Sequence, residues 1–149
     1  MEFIEIEWDS NRYREEIDLR YRLLRAPLGL TFTPEQLKAE SGELHFGILE
    51  EESLIACAVV VPLSIRQTKL RQMVVDSAFQ KRGVGSRLIH GIERELRGRG
   101  FIEVELNARE AAVPFYQRLG YEIEGDSFIE VSIPHFKMKR SIALSSGDQ

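Results

Sequence analysis

Apolar and polar residues follow two different periods along the chain, one typical of strands and one of helices. Residues 3–8 alternate, which predicts a first strand. From Tyr13 to Leu24 apolar residues recur at helical spacing, and Asp9 or Ser10 precedes them as a candidate N-cap. The chain is therefore predicted to begin with a strand and a capped helix.

Strand and helix patterns continue to alternate along the rest of the sequence. Pro27, Gly29 and Pro34 interrupt the first helix pattern and predict a loop. The continuous apolar run at 54–62 is typical of a strand buried on both faces. The further predicted elements are a short helix at 34–40, strands at 44–48, 54–62 and 69–76, a helix from 84 to 98 or 100, a strand at 101–107, a short helix at 111–120, strands at 121–125 and 133–142, and a frayed tail at 145–149.

Interleaved strands and helices predict a mixed α/β or α+β fold, with a partly antiparallel sheet covered by helices. We see no repeat, linker or second domain, so a single domain over residues 1–149 is expected.

Composition excludes several classes of protein. A content of 43% hydrophobic and 30% charged residues argues against disorder, and a net charge of −4 gives no reason to expect nucleic acid as a partner. Cys57 is the only cysteine, so no internal disulfide or cysteine-based metal cluster can form. No apolar stretch is long enough to span a membrane, and the acidic N-terminus does not resemble a signal peptide. A cytoplasmic location is the expectation.

Five arginines crowd the first predicted helix and are expected to form a solvated face with long side-chain stems lying on the core. They are Arg12, Arg14, Arg20, Arg22 and Arg25.

Neither His45 nor His90 has a partner at ligand spacing, so no metal site is predicted. Cys57 lies in an apolar run and is predicted to be a small core residue.

The segment QKRGVGS, at residues 80–86, places two glycines and several cations where a helix begins. It lacks the Gly-Lys-Ser/Thr ending of a Walker loop, and Leu88 stands where the dinucleotide fingerprint needs a third glycine. A helix N-terminus with Lys81, Arg82 and Arg87 nearby suits an anion. A plain glycine-containing turn with surface cations is the alternative, and this segment alone leaves both open.

Two further motifs, taken with this turn, resemble the GNAT superfamily of N-acetyltransferases. Gln80, Gly83 and Gly85 fit the pyrophosphate loop Q/R-x-x-G-x-G/A, behind the strand that contains MVV. The segment LNAREAAVPFYQRLGYE, at residues 106–122, fits the later N…FY…GF/Y element. The ending IPHFKM resembles the ElaA-like branch, where a glycine usually stands in place of Ser132. The resemblance covers residues 70–140 well and the N-terminal part only by its order of elements.

The resemblance implies a GNAT fold: a mixed sheet of about seven strands, splayed between the fourth and fifth strands and flanked by about four helices. Acetyl-CoA would be the cosubstrate, with its pantetheine arm bonded to the backbone of Met73 and Val75 while Val74 points to the opposite face. Its pyrophosphate would lie on the turn. The implied cofactor-binding residues are Met73, Val74, Val75, Gln80, Lys81, Arg82, Gly83, Val84, Gly85, Ser86, Asn107, Phe115 and Tyr116.

Tyr116 matches the tyrosine that the family uses as general acid toward the leaving CoA thiolate. Asn107 would bind the cofactor or cap the following helix, and Phe115 would pack against the pantetheine arm. The implied reaction is transfer of the acetyl group to a primary amine by direct attack, without a covalent enzyme intermediate. A domain that binds CoA or acyl-CoA as a sensor, or serves as an interaction module, is the alternative.

The acceptor, its general base and the oligomeric state stay open, with a homodimer as the one assembly considered. The alternatives for the general base are a water, Glu130, His135 or bulk solvent. His135 is equally well explained as a structural residue bonded to backbone. Lys69 and Arg71 suggest an acceptor that bears a carboxylate or phosphate beside its amine. The family shapes its acceptor pocket with the segment that here contains Arg22, Arg25 and residues 28–32.

Overall fold

The computed structural model describes residues 1–144, and its contacts group into two compact units. The first unit comprises Met1–Val61 and Gln72–Ile92, and the second comprises Pro62–Arg71 and the chain from Glu93 onward. The prediction of a single domain stays a prediction, and the predicted tail at 145–149 lies outside the described residues. Among the described residues, no helix combines the length and the apolar composition needed to cross a bilayer.

The first unit begins with strand β1 and helix α1, as the periodicity predicts. Strand β1 is Glu2–Ile6 and ends two residues before the predicted strand, and Trp8, beyond its end, donates its indole N–H to the Leu37 carbonyl at 2.9 Å. Ser10, rather than Asp9, is the N-cap of helix α1, and its hydroxyl accepts the Tyr13 N–H. Helix α1 is Asn11–Arg20, followed by a π-helical segment Tyr21–Arg25 and a 3₁₀ turn Ala26–Leu28.

Helix α2, Pro34–Ala39, has a complete capping box. The Thr33 hydroxyl accepts the Gln36 N–H, and the Gln36 side chain accepts the Thr33 N–H at 2.8 Å. Proline at the first helical position adds a fixed φ and lacks only an N–H that would be unpaired in any case. These local signals explain why so short a helix forms in an exposed loop.

Strands β2 and β3 complete the antiparallel part of the first unit. Strand β2 is Leu44–Glu50, and it pairs with β1 on one side and with β3, Ser53–Pro62, on the other. Seven consecutive residues of β3 are buried, which confirms the prediction from its continuous apolar run. Cys57 is fully buried there, and burial raises the pKa of its thiol, so it is a protonated core residue.

The next two long elements along the chain are strand β4, Gln67–Val75, and helix α3, Val84–Gly98. Each contributes residues to both units. Apolar residues on one face of α3 are buried, among them Leu88, Ile92 and Leu96, as the helical spacing predicts.

The second unit is built around strand β5, Glu103–Arg109, and strand β8, Ile133–Ser141, which pair antiparallel over seven residues. Helix α4, Val113–Arg118, follows β5 through a 3₁₀ turn, with Pro114 in its first turn. Two short strands, β6 at Glu122–Ile123 and β7 at Phe128–Glu130, pair antiparallel with β8.

Within residues 1–144 the strands number eight and follow the order β1-β2-β3-β4-β5-β8-β6, with β7 also beside β8. Only β4 and β5 pair parallel among the registered pairs, so the mixed, mostly antiparallel fold with four α-helices is confirmed. One strand more than expected appears, because β7 and β8 form a hairpin whose two-residue turn, Val131 and Ser132, has positive φ at both positions. That conformation favours glycine.

Candidate functional site

The distal end of β4 contains a residue with left-handed backbone. Gln72 has φ +54°, a conformation that a residue other than glycine rarely adopts inside a strand. The parallel register between β4 and β5 covers only four pairs, from Gln67–Glu103 to Leu70–Leu106, although β4 continues to Val75.

The three residues after Gln72 alternate in burial. Val74 is buried in the apolar core of the first unit with Tyr13 and Leu54, and Met73 and Val75 are half-buried. The Val75 carbonyl accepts a hydrogen bond from the Gln80 side-chain amide at 3.1 Å. Gln80 therefore ties the following turn back to the strand, and ligand bonds at Val75 would use its N–H or the second lone pair of its carbonyl.

Between β4 and α3 the backbone twice adopts positive φ. Lys81 has φ +65° and Gly83 has φ +76°, with Arg82 between them in the ordinary region. Alternation of ordinary and left-handed residues is typical of backbone concavities that bind anions. A side chain at Gly83 would meet no atom within 4 Å, so glycine is favoured there by backbone conformation and not by lack of space.

The first turn of α3 presents unpaired donors. The first helical bond runs from the Arg87 N–H to the Gly83 carbonyl at 3.1 Å. Helical geometry therefore leaves the N–H groups of Val84, Gly85 and Ser86 without an intrahelical acceptor. Together with the helix dipole they form a region of positive potential at this end of α3.

Three basic side chains surround this helix end. Lys81, Arg82 and Arg87 are all exposed, and the Arg82 guanidinium lies over the Phe79 ring at 5.5 Å. Arg87 is within 3.5 Å of the Met1 carbonyl. All three therefore raise the potential near the turn while keeping their charged ends in water.

Asn107 lies on β5 in the second unit and is half-buried. The prediction that it caps the following helix is wrong. Helix α4 begins behind Ala112 and the 3₁₀ turn behind Arg109, and neither start has a side-chain cap. Asn107 cannot cap α4 because β5 continues two residues beyond it, and Asn107 is paired there with Lys137 of β8. Its amide is left for another partner.

Phe115 and Tyr116 are half-buried neighbours on α4, and their rings meet edge to face at 5.0 Å. The Tyr116 ring makes a second edge contact with Tyr121 at 5.9 Å. Burial raises the pKa of Tyr116 to about 12, so its hydroxyl is protonated at neutral pH. Tyr116 is therefore a hydrogen-bond donor in this conformation.

A buried carboxylate network lies behind Tyr116, and no sequence pattern predicts it. The Tyr121 hydroxyl donates to one Glu93 oxygen at 2.9 Å, and Arg140 donates to the other at 2.6 Å. Glu93 and Tyr121 are each 2% exposed. The three residues are far apart in sequence, so only the tertiary structure brings them together.

His135 is buried on β8, and its ring stacks on Phe128 at 6.0 Å. Nδ1 is 2.8 Å from the Ile133 carbonyl, and Nε2 is 3.5 Å from the Glu130 carboxylate. The carbonyl can only accept, so Nδ1 carries a proton. This contact is the structural one that the sequence left as an alternative.

The two arginines of the first unit that are expected near an acceptor have local partners. Arg22 pairs with Asp18 at 3.0 Å and lies 3.9 Å from Asp76. The Arg25 guanidinium lies over Phe32 at 4.5 Å, while Leu28 and Leu30 are exposed. Arg71 is exposed and Lys69 half-buried on β4. Nothing in these contacts favours one class of acceptor.

A second set of charged residues, this one in the first unit, is also buried, and its contacts correct two predictions. The expectation that Arg20 belongs to a solvated face is wrong: its side chain is 0% exposed and bonds Glu16 at 2.6 Å and Glu40 at 2.6 and 2.8 Å. His45 has partners after all, with Nδ1 3.0 Å from Glu16 and Nε2 3.0 Å from the Glu40 carbonyl. We call Glu16, Arg20, Glu40 and His45 the buried ion cluster.

The buried ion cluster has the donor types of a metal site, since donor atoms of Glu16, Glu40 and His45 lie within 4.8 Å of one another. Both carboxylates are already paired with the Arg20 guanidinium, and both ring nitrogens of His45 have partners. Arg20 therefore supplies the positive charge that a metal would supply. The Tyr13 hydroxyl also donates to Glu40, at 2.7 Å.

Comparison with known proteins identifies one matching family model and relatives that match part of the chain. A family model described as "Acetyltransferase (GNAT) domain" matches residues 27–142. YyaT of Bacillus subtilis (strain 168) is 32% identical over 75 residues, which is 50% of this chain and 51% of YyaT. The chain thus spans about half the length of the curated relatives it matches.

Solved structures show the same fold over nearly the whole chain. An aminoglycoside 6'-N-acetyltransferase complexed with coenzyme A matches with a TM-score of 0.82 and 19% identity, covering 97% of this chain and 99% of that one. Escherichia coli ElaA matches with a TM-score of 0.79 and 19% identity, covering 94% and 99%.

Proposed function

Because the chain belongs to the GNAT acetyltransferase family, whose domain spans residues 27–142, we propose that it transfers an acetyl group from acetyl-CoA to a primary amine. The amine nitrogen attacks the thioester carbonyl directly, a C–N bond forms, and the C–S bond breaks. One proton leaves the amine and one reaches the departing thiolate, so no covalent enzyme intermediate is needed.

The observation that carries this proposal is the left-handed turn that opens helix α3. Lys81 and Gly83 shape a backbone concavity, and the N–H groups of Val84, Gly85 and Ser86 point out of the helix end. A pyrophosphate there would meet unpaired donors and the positive end of the dipole, each contact contributing about 0.3–1 kcal/mol when exposed. Three such contacts contribute about 1–3 kcal/mol of the roughly 8 kcal/mol that a micromolar affinity requires, so the rest must come from other contacts of the cosubstrate.

The strand before the turn suits the pantetheine arm, as the family resemblance implies. Val74 is buried and unsuited to a side-chain contact, so Met73 and Val75 would act through backbone groups. In the second unit we assign Asn107, Phe115 and Tyr116 to the same cosubstrate. Support for Asn107 comes from its half-buried amide, which caps no helix in the described structure.

Tyr116 would serve the leaving thiolate as a hydrogen-bond donor. Its pKa of about 12 stands above that of a thiol, about 8.5, so complete proton transfer would be uphill by about 5 kcal/mol. A hydrogen bond that strengthens as charge develops on sulfur avoids this cost. The proposal assigns no residue as base, and it requires an acceptor amine that reaches the site neutral.

Thiol release from acetyl-CoA, measured over kanamycin, spermidine, free amino acids and short peptides, tests the proposal. We expect turnover with at least one amine and acetyl-CoA binding by calorimetry. Binding without turnover of any amine would favour the sensor alternative, and no heat at millimolar protein would reject a CoA-binding role altogether.

Two substitutions test the assigned residues. Tyr116→Phe is expected to lower kcat about 10- to 100-fold at nearly unchanged acetyl-CoA affinity, since only transition-state stabilisation is lost. Gly85→Glu places a carboxylate at the helix end and is expected to abolish binding. Gly98→Glu, at the other end of the same helix, is the matched control. Normal acetyl-CoA binding by Gly85→Glu would refute the turn as the pyrophosphate site.

A further inference from the structure

We propose that Tyr121, held by Glu93 and Arg140, is a positioning residue that fixes the ring and hydroxyl of Tyr116. This inference rests on the proposed function, because it assumes that the Tyr116 hydroxyl serves the leaving thiolate. All four residues belong to the second unit.

The backbone ties Tyr121 to Tyr116 at the end of helix α4. The Tyr121 N–H donates to the Tyr116 carbonyl at 3.0 Å, and the Gly120 N–H donates to the Gln117 carbonyl at 3.0 Å. Gly120 between them has φ +96°. These two bonds and the left-handed residue define a Schellman motif, in which Tyr116 and Tyr121 are the pair expected to make a side-chain contact.

The side chains make that contact. The rings of Tyr116 and Tyr121 meet at 5.9 Å and 72°, a favourable edge geometry. Phe115 contacts the Tyr116 ring at 5.0 Å and 76°. The Tyr116 ring therefore lies against two aromatic neighbours, and only Tyr121 is itself held by a polar contact that an ordinary packing residue would lack.

Glu93 fixes the orientation of Tyr121. A buried carboxylate is costly unless its oxygens are paired, and here Tyr121 serves one oxygen while Arg140 serves the other. Rotation of the Tyr121 ring would leave one Glu93 oxygen without a donor. Burial and the adjacent Glu93 charge also raise the pKa of Tyr121, so its hydroxyl stays a donor over the working pH range.

The network acts on Tyr116 through contact and not through charge transfer. We therefore expect Tyr121→Phe to lower kcat about 3- to 10-fold while KM for acetyl-CoA changes less than about 2-fold, because a small misplacement of a reacting group costs rate more than binding. Glu93→Gln should act in the same direction, since the neutral amide pairs less well with Arg140.

A double-mutant cycle separates positioning from ordinary stability. If Tyr121 acts through the Tyr116 hydroxyl, Tyr121→Phe should change kcat less than about 1.5-fold when Tyr116 is already phenylalanine. Tyr13→Phe is the matched control, because Tyr13 is also a buried tyrosine that donates to a buried carboxylate, Glu40. Its effect on kcat should be the same factor in both backgrounds.

The kinetic outcomes are distinct. Equal effects of Tyr121→Phe in the two backgrounds would overturn the positioning role and leave the proposed function standing. Full kcat in Tyr116→Phe would overturn the positioning role together with the role assigned to Tyr116, and would leave acetyl transfer itself standing.

A spectroscopic measurement does not depend on finding the acceptor. With 3-fluorotyrosine placed at position 116 in the full chain, Tyr121→Phe should shift or broaden the ¹⁹F resonance, and Tyr13→Phe should leave it in place. An unchanged resonance in Tyr121→Phe would overturn the inference. A changed resonance in a protein that turns over none of the amines would support the positioning and reject the proposed function.

Discussion

Replacing Arg20 with methionine removes the cation from the buried ion cluster while keeping a side chain of similar length. Arg20 is fully buried and donates three hydrogen bonds of 2.6–2.8 Å to Glu16 and Glu40. Without it, two carboxylates remain in the core of the first unit with His45 and Tyr13 as the groups facing them.

The magnitude follows from the burial of the partners. Removing one partner of a buried ion pair costs about 3–5 kcal/mol, because the remaining charge stays out of water. Total stability of a domain is about 5–15 kcal/mol, so this is a large part of it. At about 2–4 °C per kcal/mol for a chain of this size, Tm should fall by about 6–20 °C.

The loss should depend on pH in a defined direction. Burial opposes ionisation of Glu40, but the hydrogen bonds and charge of Arg20 outweigh it and lower the Glu40 pKa. A lowered carboxyl pKa contributes stability above the unfolded value, about 4.3, which is lost as pH falls through the folded value. The difference between wild type and Arg20→Met should therefore narrow below about pH 4.3.

Urea unfolding at pH 7 and at pH 4 measures both effects. Arg14→Met on the same helix is the control, because Arg14 is exposed and 3.7 Å from its partner Asp9, so it should cost less than about 0.5 kcal/mol. A loss below about 1 kcal/mol in Arg20→Met, or a loss that stays constant with pH, would refute the reasoning.

Three further results are expected. Burial opposes protonation of His45, but the hydrogen bond and charge of Glu16 outweigh it and raise the His45 pKa. The contribution of protonated His45 to stability is therefore present below about pH 6.5 and is lost as pH rises through the raised pKa. His45→Gln should flatten this alkaline decline in the free energy of unfolding, measured by urea titration. Gly83→Ala should weaken acetyl-CoA binding about 5- to 30-fold in calorimetry, since a left-handed L-residue costs about 1–2 kcal/mol, while Gly98→Ala should bind normally. Ser132→Gly should raise Tm, by relieving about 1 kcal/mol of left-handed strain, and an unchanged or lower Tm would contradict the turn geometry.

Features encoded in neighbouring residues were predictable from the sequence. Alternation and helical spacing gave the order of the main elements, because burial of one face imposes a period that is visible in a short window. The glycine turn before α3 was also predictable from its residues, and Gly83 has a positive φ there. Strand β7 was not, since three residues that form one arm of a hairpin carry too little periodic signal.

Features that depend on distant partners were not predictable. Arg20 looks like its exposed neighbours on α1 until Glu40, twenty residues later, lies against it. Glu93 looks like a surface residue of α3 until Tyr121 and Arg140 reach it. Polar residues carry no period that reports burial, so a buried polar network is visible only in the folded chain.

Gly120 restricts variation at a second position of the chain. A Cβ atom there would lie 3.1 Å from Nε of Arg140, whose guanidinium is committed to Glu93. Asparagine tolerates a left-handed backbone better than most residues, yet it carries the same Cβ. Relatives that replace the glycine should therefore also have a shorter side chain at the position of Arg140, and with it a different partner for the buried acid.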